Sequence, residues 1–496
     1  MVSTVRNFIA GKWVDSLGGQ RFEKTNPADI REVVASVTIS AGEDVDRAVE
    51  AARRAHRDWK ALPGPKRGEI LFRAGELLLR KKHELATLVT REMGKVLAEG
   101  LGDVQEAVDM AYFMAGEGRR LSGETVPSEL PDKDCKSVRE PHGVIALITP
   151  WNFPTAIPAW KIFPALICGN TVVLKPSSAT PACAAALVQA LHEAGVPEGV
   201  VNLVLGPGEE VGEYLATHPG VAAVSFTGSC SAGERLEALL GAKHRPLALE
   251  MGGKNAIIVM DDADLHLALE GVLWGGFGTS GQRCTASSRV LVHASIYERF
   301  LESLKTAAER LKIGPGLDPS TDVGPLVNEQ QLNRVLTYIS IGKEEGARLV
   351  SGGNRILDGD RAHGYFVEPT IFADVLPRMR IAQEEIFGPV VSVLRFTTLE
   401  EAVTIVNDVP FGLSSAIYTR DVNSSARAER DLQTGLVYIN ASTIGAEIQL
   451  PFGGWKHSGS GHPEAGGRGG ALDFYSRVKV IYRDFSGRLQ KAQIDR

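Results

Sequence analysis

Between residues 171 and 250 the chain alternates short β-branched runs with helical patterns, and this alternation limits the possible folds more than any other feature. Runs such as TVVLKP (171–176) and VAAVSFTG (221–228) have the length and composition of buried strands. The segments between them carry apolar residues at helical spacing. Strands separated by single helices predict βαβ units and a parallel, doubly wound α/β sheet. Ligands bind beyond the carboxyl ends of such strands, so we expect functional residues directly after each run.

A second alternating series follows over residues 253–450, and a mostly helical region over 40–120 precedes the first. A chain of 496 residues is too long for one compact core, so we expect two or three domains. Two polar, β-leaning segments, 132–143 and 474–487, stand outside both series. Because exposed strands of this kind usually pair with another strand, they indicate a subunit contact.

Composition and charge exclude several classes of protein. The chain has 60 acidic and 54 basic residues, a net charge of −6, which disfavours nucleic acid or an anionic membrane as the main partner. No apolar run reaches the roughly 18 residues of a membrane span, and the N-terminal residues lack a secretory signal pattern. The five cysteines are odd in number and form no C-x-x-C pair, so we expect no disulfide framework, no metal site and a reducing, cytoplasmic location.

Four segments place chemically useful side chains at the ends of predicted elements. They are ITPWNFP with Asn152, VLKPSS with Lys175, LEMGGK with Glu250, and GTSGQRCTASS with Cys284. Each has an ordinary structural explanation when it is taken alone: a turn cap, a solvated charge, an ion pair or a buried small residue. A serine hydrolase is disfavoured because no G-x-S-x-G motif is present. A P-loop is disfavoured because Asn255 stands where that motif needs Ser or Thr.

Together with FTGS (226–229) and EEIFGPV (384–390), these segments resemble the aldehyde dehydrogenase superfamily. The similarity runs in the family's order from NFIAGKWVD to PFGGWKHSGSG (451–461), which is nearly the whole chain. It implies a Rossmann-like dinucleotide domain, an α/β catalytic domain and a small β segment for oligomerisation, as a homodimer or homotetramer. The boundaries that we predict are 1–120 with 142–252 for the dinucleotide domain, 253–450 for the catalytic domain, and 121–141 with 451–496 for the oligomerisation strands and tail.

The resemblance implies a catalytic role for three residues. Cys284 corresponds to the family's nucleophile, and a thiolate suits this task because it attacks an aldehyde and later leaves from a thioester. The Asn152 side chain and the Cys284 backbone N–H correspond to the donors that stabilise the oxyanion. Glu250 corresponds to the base that activates water for hydrolysis of the thioester. Acylating relatives, which pass the acyl group to coenzyme A, usually lack this Glu, so we expect a free carboxylic acid as product.

The resemblance also implies an NAD or NADP site. Lys175 would bind the adenosine ribose, Glu385 the nicotinamide ribose, and the helix that begins after Gly228 and Ser229 the pyrophosphate. The other predicted cofactor contacts are Ile148, Trp151 and Phe387. NAD-preferring relatives often carry Glu at the position of Ser178, where it repels a 2′-phosphate. Ser178 therefore predicts that NADP is tolerated and leaves a preference for NADP open. The alternative is that the shape of the pocket elsewhere excludes the phosphate.

The resemblance is less specific about the aldehyde. The segment INASTIGAEIQLPFGG (439–454) looks like the substrate loop of α-ketoglutaric and aminoadipic semialdehyde dehydrogenases, whose substrates carry a distal carboxylate. Arg283 is one candidate to bind that carboxylate and is equally well explained as a structural residue. Succinic semialdehyde dehydrogenases usually carry an Arg after NFP, where this chain offers only Lys161. The candidate lining of an apolar tunnel comprises Phe153, Trp160, Phe277 and Phe452.

Three alternatives stay open. A non-phosphorylating glyceraldehyde-3-phosphate dehydrogenase would use Arg283 for the phosphate. A broad-specificity aliphatic aldehyde dehydrogenase would need no cation. A non-catalytic structural or binding member of the fold is a different class, and such members generally lack the Cys or Glu that this chain keeps at 284 and 250.

Overall fold

Two seven-stranded sheets form the centre of the molecule in a computed structural model that describes residues 3–494. The second alternating series forms the second sheet, and the first series forms the first sheet together with three strands from earlier in the chain. Five strands of the first sheet are parallel, and a two-stranded antiparallel hairpin lies at one edge. In spatial order its strands are Leu247–Glu250, Ala223–Thr227, Val144–Ile148, Thr171–Lys175, Val201–Leu203, Asn7–Ile9 and Lys12–Val14.

Helices cover both faces of the first sheet, and its central strands are therefore buried along their whole length. The helix Pro181–Glu193 begins at a proline, and the buried Glu92 carboxylate accepts the N–H groups of Ala182 and Cys183 in place of a side-chain cap. The other helices of this half of the chain are Gly42–Ala61, Gly64–Arg80, Lys82–Met93, Leu97–Glu117, Ala156–Ile167, Glu213–Thr217 and Cys230–Gly241, with a short π-helical turn over Gly208–Gly212.

The second sheet has six parallel strands and one antiparallel edge strand. In spatial order they are Arg348–Ser351, Thr370–Ala373, Val390–Phe396, Ser287–His293, Asn255–Val259, Ser414–Tyr418 and Leu436–Ile439. Helices pack on both faces and are Leu265–Phe277, Tyr297–Ala308, Glu329–Glu344, Arg380–Gln383, Leu399–Asn407 and Val422–Asp431. The predicted helix over 262–280 ends earlier, at Phe277, because a short 3₁₀ turn, Gly278–Gly281, follows it.

The two polar β-leaning segments pair with each other. Ser476–Asp484 runs antiparallel to Lys133–Pro141 over nine residue pairs, and Thr125–Pro127 adds a third strand. The strand that pairs with each segment therefore lies within the same chain. Most of the strand Ser476–Asp484 nevertheless stays exposed. Smaller strands complete the list: Ser3–Val5, Arg21–Asn26 and Asp29–Thr38 form one sheet, and Phe411–Gly412 pairs with Trp455–Lys456.

The residues after 450 return to the first sheet before they reach the exposed strand. Phe452 lies in the core of the first half, Gly459 forms an antiparallel bridge with Glu250, and the short helix Ala471–Phe474 follows. The α/β prediction is confirmed by the sheets. The domain boundaries stay predictions, and their outermost residues, 1–2 and 495–496, lie outside the described residues. No helix within residues 3–494 is long and apolar enough to cross a membrane.

Candidate active site

Three predicted site residues end parallel strands of the first sheet at the same edge. Ile148, Lys175 and Glu250 are the last residues of Val144–Ile148, Thr171–Lys175 and Leu247–Glu250. Ile148 and Lys175 meet over Gly212, whose missing Cβ would lie 3.6 Å from Lys175 Cδ and 3.9 Å from Ile148 Cδ1. The carboxyl edge of a parallel sheet is where such folds bind ligands. The alternation of elements therefore accounts for the placement of all three.

Cys284 approaches this edge from the second sheet, in the loop before the strand Ser287–His293. Asn255 fixes the loop: its Nδ2 donates to Cys284 O at 2.7 Å and to Ala286 O at 3.0 Å. Gly253, in the chain between the two sheets, passes so close that an added Cβ would lie 2.8 Å from Cys284 O. The connection between the sheets and the cysteine loop is thus packed backbone against backbone.

Two hydrogen-bond donors at this point have no partner. The Asn152 side chain is 2% exposed and forms no hydrogen bond with any described residue, and neither does the Cys284 backbone N–H. Asn152 directly precedes Phe153, whose ring centroid lies 5.3 Å from Cζ of Arg283, the residue before Cys284. The two free donors therefore belong to segments that lie against each other. The arrangement is suited to stabilise an anion that develops beside the sulfur.

Glu250 is buried, and only one of its two carboxylate oxygens accepts a hydrogen bond from a residue within 3–494. Its Oε2 accepts the Gly454 N–H at 3.2 Å, whereas Oε1 is buried without a hydrogen-bond partner. Burial, reinforced by the nearby Glu464 carboxylate, holds the pKa of Glu250 well above its usual range. A carboxyl group with a raised pKa and a free oxygen is suited to proton transfer near neutral pH.

Glu464 is a residue that the sequence analysis missed. It forms a buried ion pair with Lys161 and accepts a hydrogen bond from Thr227 Oγ1, and Lys161 also donates to Ser225 Oγ at 2.7 Å. Its only sequence signal is a lone acidic residue in the Gly-rich segment GSGHPEAGG (459–467). Lys161, the cation that follows NFP, is therefore already paired with a residue of the same chain.

Burial raises the pKa of the Cys284 thiol to about 12, and the carboxylates of Glu385, Glu250 and Glu464 add to the shift. Only the Thr285 N–H opposes them. Because burial also raises the pKa values of Glu250 and Glu385, these two groups are themselves held toward the neutral form. The free protein therefore keeps a neutral thiol, and ionisation of the sulfur needs a nearby acceptor for its proton.

The residues predicted to hold the adenosine end fit a dinucleotide. Lys175 is buried and forms no hydrogen bond with a described residue, and burial lowers its pKa to about 8. A dehydrated ammonium without an acceptor is suited to bind hydroxyl or phosphate oxygens. Ser178 lies just after it and donates to Gly206 O at 2.9 Å. Ser229 caps the helix Cys230–Gly241, whose first turn is exposed beyond Gly228.

The residues predicted to hold the nicotinamide end lie beside the cysteine. Glu385 accepts the Gly253 N–H at 2.9 Å and covers Gly252 so closely that an added Cβ would lie 2.3 Å from its carboxylate. The rings of Trp151 and Phe387 meet edge to face with centroids 5.3 Å apart. The structure thus brings the ITPWNFP and EEIFGPV segments together, although they are more than 200 residues apart in the chain.

Of the tentative substrate residues, Phe153 and Phe452 pack in the same core cluster as Cys284, and Phe452 meets Trp160 edge to face at 5.4 Å. Phe277 lies in a different cluster, in the core against the second sheet, and its tunnel role stays a prediction. Arg283 is half-buried and has two partners within the chain. Its Nη2 pairs with Glu99 Oε1 at 3.2 Å, and its Nε donates to Thr279 Oγ1 at 2.8 Å.

No three His, Cys, Asp or Glu side chains within residues 3–494 form a group that could hold a metal ion. The chemistry at this site belongs to the thiol, the amide donors and the buried carboxyl groups. A thiol, free amide donors and buried carboxyl groups beside residues suited to a dinucleotide can together support attack on a carbonyl and transfer of a hydride.

Comparison with known proteins agrees with this geometry. The Aldehyde dehydrogenase family matches residues 13–481. The chain is 44% identical over 480 residues to an alpha-ketoglutaric semialdehyde dehydrogenase of Bacillus subtilis (strain 168), covering 97% of this chain and 98% of the relative. It is 44% identical to an alpha-ketoglutarate semialdehyde dehydrogenase of Haloferax volcanii, covering 98% and 100%.

Among solved structures, a betaine aldehyde dehydrogenase from Staphylococcus aureus in complex with NAD⁺ superposes with a TM-score of 0.95 at 36% identity, covering 98% of this chain and 96% of that chain. The predicted fold and the predicted NAD(P)-dependent enzyme class are thereby confirmed. By its sequence, its fold and the arrangement around Cys284, the chain belongs to the aldehyde dehydrogenase family.

Proposed function

We propose that the enzyme oxidises a semialdehyde with a distal carboxylate, with α-ketoglutaric semialdehyde as the first candidate, to the corresponding dicarboxylic acid. The names of the relatives from Bacillus subtilis and Haloferax volcanii support this substrate class. The observation that carries the reaction type is the pair of free donors on Asn152 and Cys284 beside a buried, half-unpaired Glu250. A non-catalytic role does not require such an arrangement.

In the first step the Cys284 sulfur attacks the aldehyde carbon. The C–S bond forms, the carbonyl π pair moves to oxygen, and the thiol proton passes to a neighbouring carboxylate, for which Glu250 Oε1 is the free acceptor. The Asn152 amide and the Cys284 N–H then donate to the oxyanion. Each such donor contributes about 3–4 kcal/mol to stabilisation of the transition state in enzymes of this type.

A bound nicotinamide ring supplies the hydride acceptor, for which Glu385, Trp151 and Phe387 would provide the binding contacts. Hydride loss from the carbon leaves a thioester on Cys284. Glu250 first passes the proton that it took from the thiol to solvent. Its carboxylate then removes a proton from water, whose oxygen attacks the thioester carbon, and the thiolate leaves. Burial and the carboxylates of Glu385 and Glu464 keep the pKa of the sulfur high, so the thiolate is reprotonated readily after release.

The test is a panel of kcat/KM values with both cofactors for α-ketoglutaric semialdehyde, succinic semialdehyde, glyceraldehyde 3-phosphate and propanal. We expect the five-carbon keto acid to be preferred and Cys284→Ala to abolish turnover of every aldehyde. Preference for glyceraldehyde 3-phosphate would favour the non-phosphorylating glycolytic alternative, which the existing Arg283–Glu99 pair disfavours. Equal rates for all four would indicate a broad-specificity enzyme.

We propose further that NADP is accepted because no carboxylate stands at position 178. Ser178 is bonded to Gly206 O and leaves Lys175 as the charged group nearest to that end of the site. Ser178→Glu should lower kcat/KM for NADP by at least tenfold relative to NAD, through repulsion of the 2′-phosphate.

Lys175 also predicts the pH dependence of cofactor choice. Its pKa is lowered to about 8, so the free enzyme carries the charge below that pH and loses it above. The kcat/KM ratio of NADP to NAD should therefore fall as the pH rises through about 8. Lys175→Arg, which stays charged, should remove this dependence. A ratio that is constant with pH in the unmodified enzyme would contradict the assignment.

We propose the predicted domain division, with 1–120 and 142–252, 253–450, and 121–141 and 451–496 as its three parts. The exposed strand Ser476–Asp484 supports assembly as a homodimer or homotetramer, because Val478, Val480 and Tyr482 present apolar surface outward from it.

All five cysteines are unpaired, which supports a reducing, cytoplasmic location. We expect a small aldehyde as the substrate, and neither nucleic acid nor a membrane as a partner.

A further inference from the structure

The turn before the nucleophile is held in an unfavourable backbone conformation. Thr279, Ser280 and Gly281 have φ values of +52°, +57° and +69°, three left-handed residues in succession. The left-handed region costs a non-glycine residue about 1–2 kcal/mol, because Cβ approaches its own carbonyl oxygen. A turn of this kind persists only where neighbouring contacts maintain it. Cys284 follows three residues after the turn, so the contacts that hold the turn also position the thiol.

A closed set of hydrogen bonds holds the first residue of the turn. Glu99 Oε1 accepts the Thr279 N–H at 2.7 Å and Arg283 Nη2 at 3.2 Å, and Arg283 Nε donates to Thr279 Oγ1 at 2.8 Å. The Glu99 and Arg283 side chains are 4% and 12% exposed. Charge-assisted bonds in a site this dry are stronger than neutral ones. We name Glu99, Thr279 and Arg283 the loop brace.

The rest of the segment is anchored on its other side. Ser280 Oγ donates to Gly324 O at 2.7 Å, and Gln282 Oε1 accepts the Val327 N–H at 3.0 Å. Both partners lie in the segment that follows helix Tyr297–Ala308, whereas Glu99 lies on helix Leu97–Glu117. The loop brace is therefore what connects the turn to the helical layer of the first half.

Aromatic rings fix the plane of the guanidinium. Arg283 Cζ lies 4.9 Å from the Trp274 ring centroid and 5.3 Å from that of Phe153, the residue directly after Asn152. Contacts of this kind between a cation and a ring stabilise the guanidinium position by about 0.5–2 kcal/mol each. Arg283 thus touches the segments that carry both oxyanion donors.

We propose that Glu99 and Arg283 are positioning residues, which hold the left-handed turn so that the Cys284 thiol and N–H face the aldehyde. The inference rests on the proposed role of Cys284 and assigns Arg283 a different function from a substrate cation. Nε and Nη2 of Arg283 already have partners, so a distal carboxylate that bound the guanidinium through two nitrogens would have to displace Glu99 from a nearly buried pair, which costs several kcal/mol. The loop brace acts on the sulfur, so its loss affects aldehydes with and without a carboxylate alike.

The first experiment measures kcat and KM of Arg283→Met and Glu99→Leu with α-ketoglutaric semialdehyde and with propanal. We expect kcat to fall by about 100-fold for both aldehydes, the size of effect that small misplacement of a reacting group causes. KM should change by a similar factor for the two aldehydes. The double variant should lose no more than the worse single variant, because both remove the same contact.

The second experiment is a rescue that a purely structural or substrate-binding role would not produce. Thr279 Oγ1 has Arg283 as its partner, so Thr279→Gly in the Arg283→Met background removes no further bond and makes the positive φ favourable. We expect kcat to recover about tenfold for both aldehydes. The rate at which iodoacetamide alkylates Cys284 in the absence of substrate should fall in Arg283→Met and recover with it.

The matched control is Arg395→Met, because Arg395 also pairs with a glutamate, Glu298 at 2.7 Å, and covers an aromatic ring, that of Tyr297. This pair is exposed and far along the chain from the cysteine loop, so we expect wild-type kcat. Arg283→Lys, which keeps the charge and satisfies only one of the two acceptors, gives a second variant should Arg283→Met unfold. We expect its kcat to lie between those of the wild type and Arg283→Met.

A rise in KM for α-ketoglutaric semialdehyde alone, with kcat for propanal unchanged, would overturn the proposal and make Arg283 the carboxylate anchor. A failure of Thr279→Gly to restore either kcat or the alkylation rate would also overturn it. A different result would contradict the proposed function itself: a wild-type enzyme that oxidises no aldehyde, or a Cys284→Ala variant that stays active.

Discussion

At the scale of single residues, the site is defined by buried groups that lack part of their ordinary hydrogen bonding. Glu250 keeps one oxygen free, Lys175 has no acceptor within residues 3–494, and Asn152 keeps its amide donors free. The free Glu250 oxygen costs stability in the free protein because a polar atom has been dehydrated without compensation. That cost is characteristic of sites that are preorganised for a ligand or a transition state.

Glu250→Gln should separate acylation from deacylation. The amide keeps the shape of the side chain and loses its capacity to accept a proton, so we expect a single burst of NAD(P)H followed by steady turnover at least 100-fold slower. Rapid-mixing absorbance measures both phases. Glu429→Gln, an exposed glutamate on helix Val422–Asp431, is the control and should retain full steady turnover.

The pH profile gives a second check on Glu250. Its pKa lies well above 4.5, so the carboxylate that activates water forms only as the pH rises through that raised value. Steady turnover of the wild type should therefore increase with pH where an ordinary carboxyl group would already be ionised. A wild-type profile that is flat from pH 5 to 8, or unchanged steady turnover in Glu250→Gln, would contradict the role of this residue.

At the scale of elements, the helix Leu97–Glu117 organises two segments of the site from its buried face. Glu99 holds the turn before Cys284, and one turn later Asp103 accepts the Ala156 N–H at 2.7 Å and the Thr155 N–H at 3.2 Å. These N–H groups begin the helix Ala156–Ile167, which follows Asn152 directly. Residues at positions i and i+4 share a helix face, so one helix supports both sources of the oxyanion donors.

Asp103→Ala should destabilise the enzyme strongly. Asp103 pairs with Lys95 at 3.2 Å, and neither side chain is exposed, so removal of the aspartate leaves a buried ammonium without its partner. Loss of one partner of such a pair costs about 3–5 kcal/mol, which a urea titration measures as a lower unfolding midpoint.

Two further variants test this interpretation. Lys95→Met combined with Asp103→Ala should be less destabilised than Asp103→Ala alone, because no uncompensated charge remains. Glu298→Ala, which breaks the exposed pair with Arg395, should cost about 1 kcal/mol or less. A loss in Asp103→Ala as small as that in Glu298→Ala would show that the buried pair contributes little.

At the scale of the whole molecule, the groups to which we assign catalytic and cofactor-binding roles come from both halves of the chain and meet between the two large sheets. Glu250 and Lys175 end strands of the first sheet, while Cys284 and Glu385 precede strands of the second. The chain after 450 then returns to cover Glu250, through the Gly454 N–H and the bridge at Gly459. The exposed strand Ser476–Asp484 is left at the surface.

Val480→Lys should weaken assembly without loss of the fold. Val478, Val480 and Tyr482 alternate along the strand and are 63%, 55% and 67% exposed, so they form one apolar face in the single chain. A lysine within an interface formed by that face would bury an unpaired charge. Light scattering after size exclusion should give a smaller particle with an unchanged circular dichroism spectrum.

Arg477→Gln, an exposed change of charge on the same strand, is the control and should leave the particle mass unaltered. An unchanged mass in Val480→Lys, or a wild-type enzyme that is a monomer, would contradict assembly through this strand.

Several features follow from local sequence alone. β-Branched runs bounded by glycine and proline become buried strands, and strands separated by single helices become parallel sheets, because side-chain period and connection length are local properties. The positions of Lys175 and Glu250 at strand ends follow from the same reasoning. The motifs around Asn152, Cys284 and Glu385 also identify the family, through their residues and their order along the chain.

Tertiary structure decided the rest, because it concerns which distant groups share a dehydrated space. Glu464 is an ordinary acid in a Gly-rich segment until folding buries it beside Glu250 and Lys161. Phe277 is an aromatic residue close to the nucleophile in the sequence, and only the structure shows that it packs in the core against the second sheet. Arg283 is a cation next to the nucleophile in the sequence, and only its contact with Glu99, 184 residues away, shows that its charge is already paired. Ion pairing and burial depend on distance in space, so no local pattern could determine them.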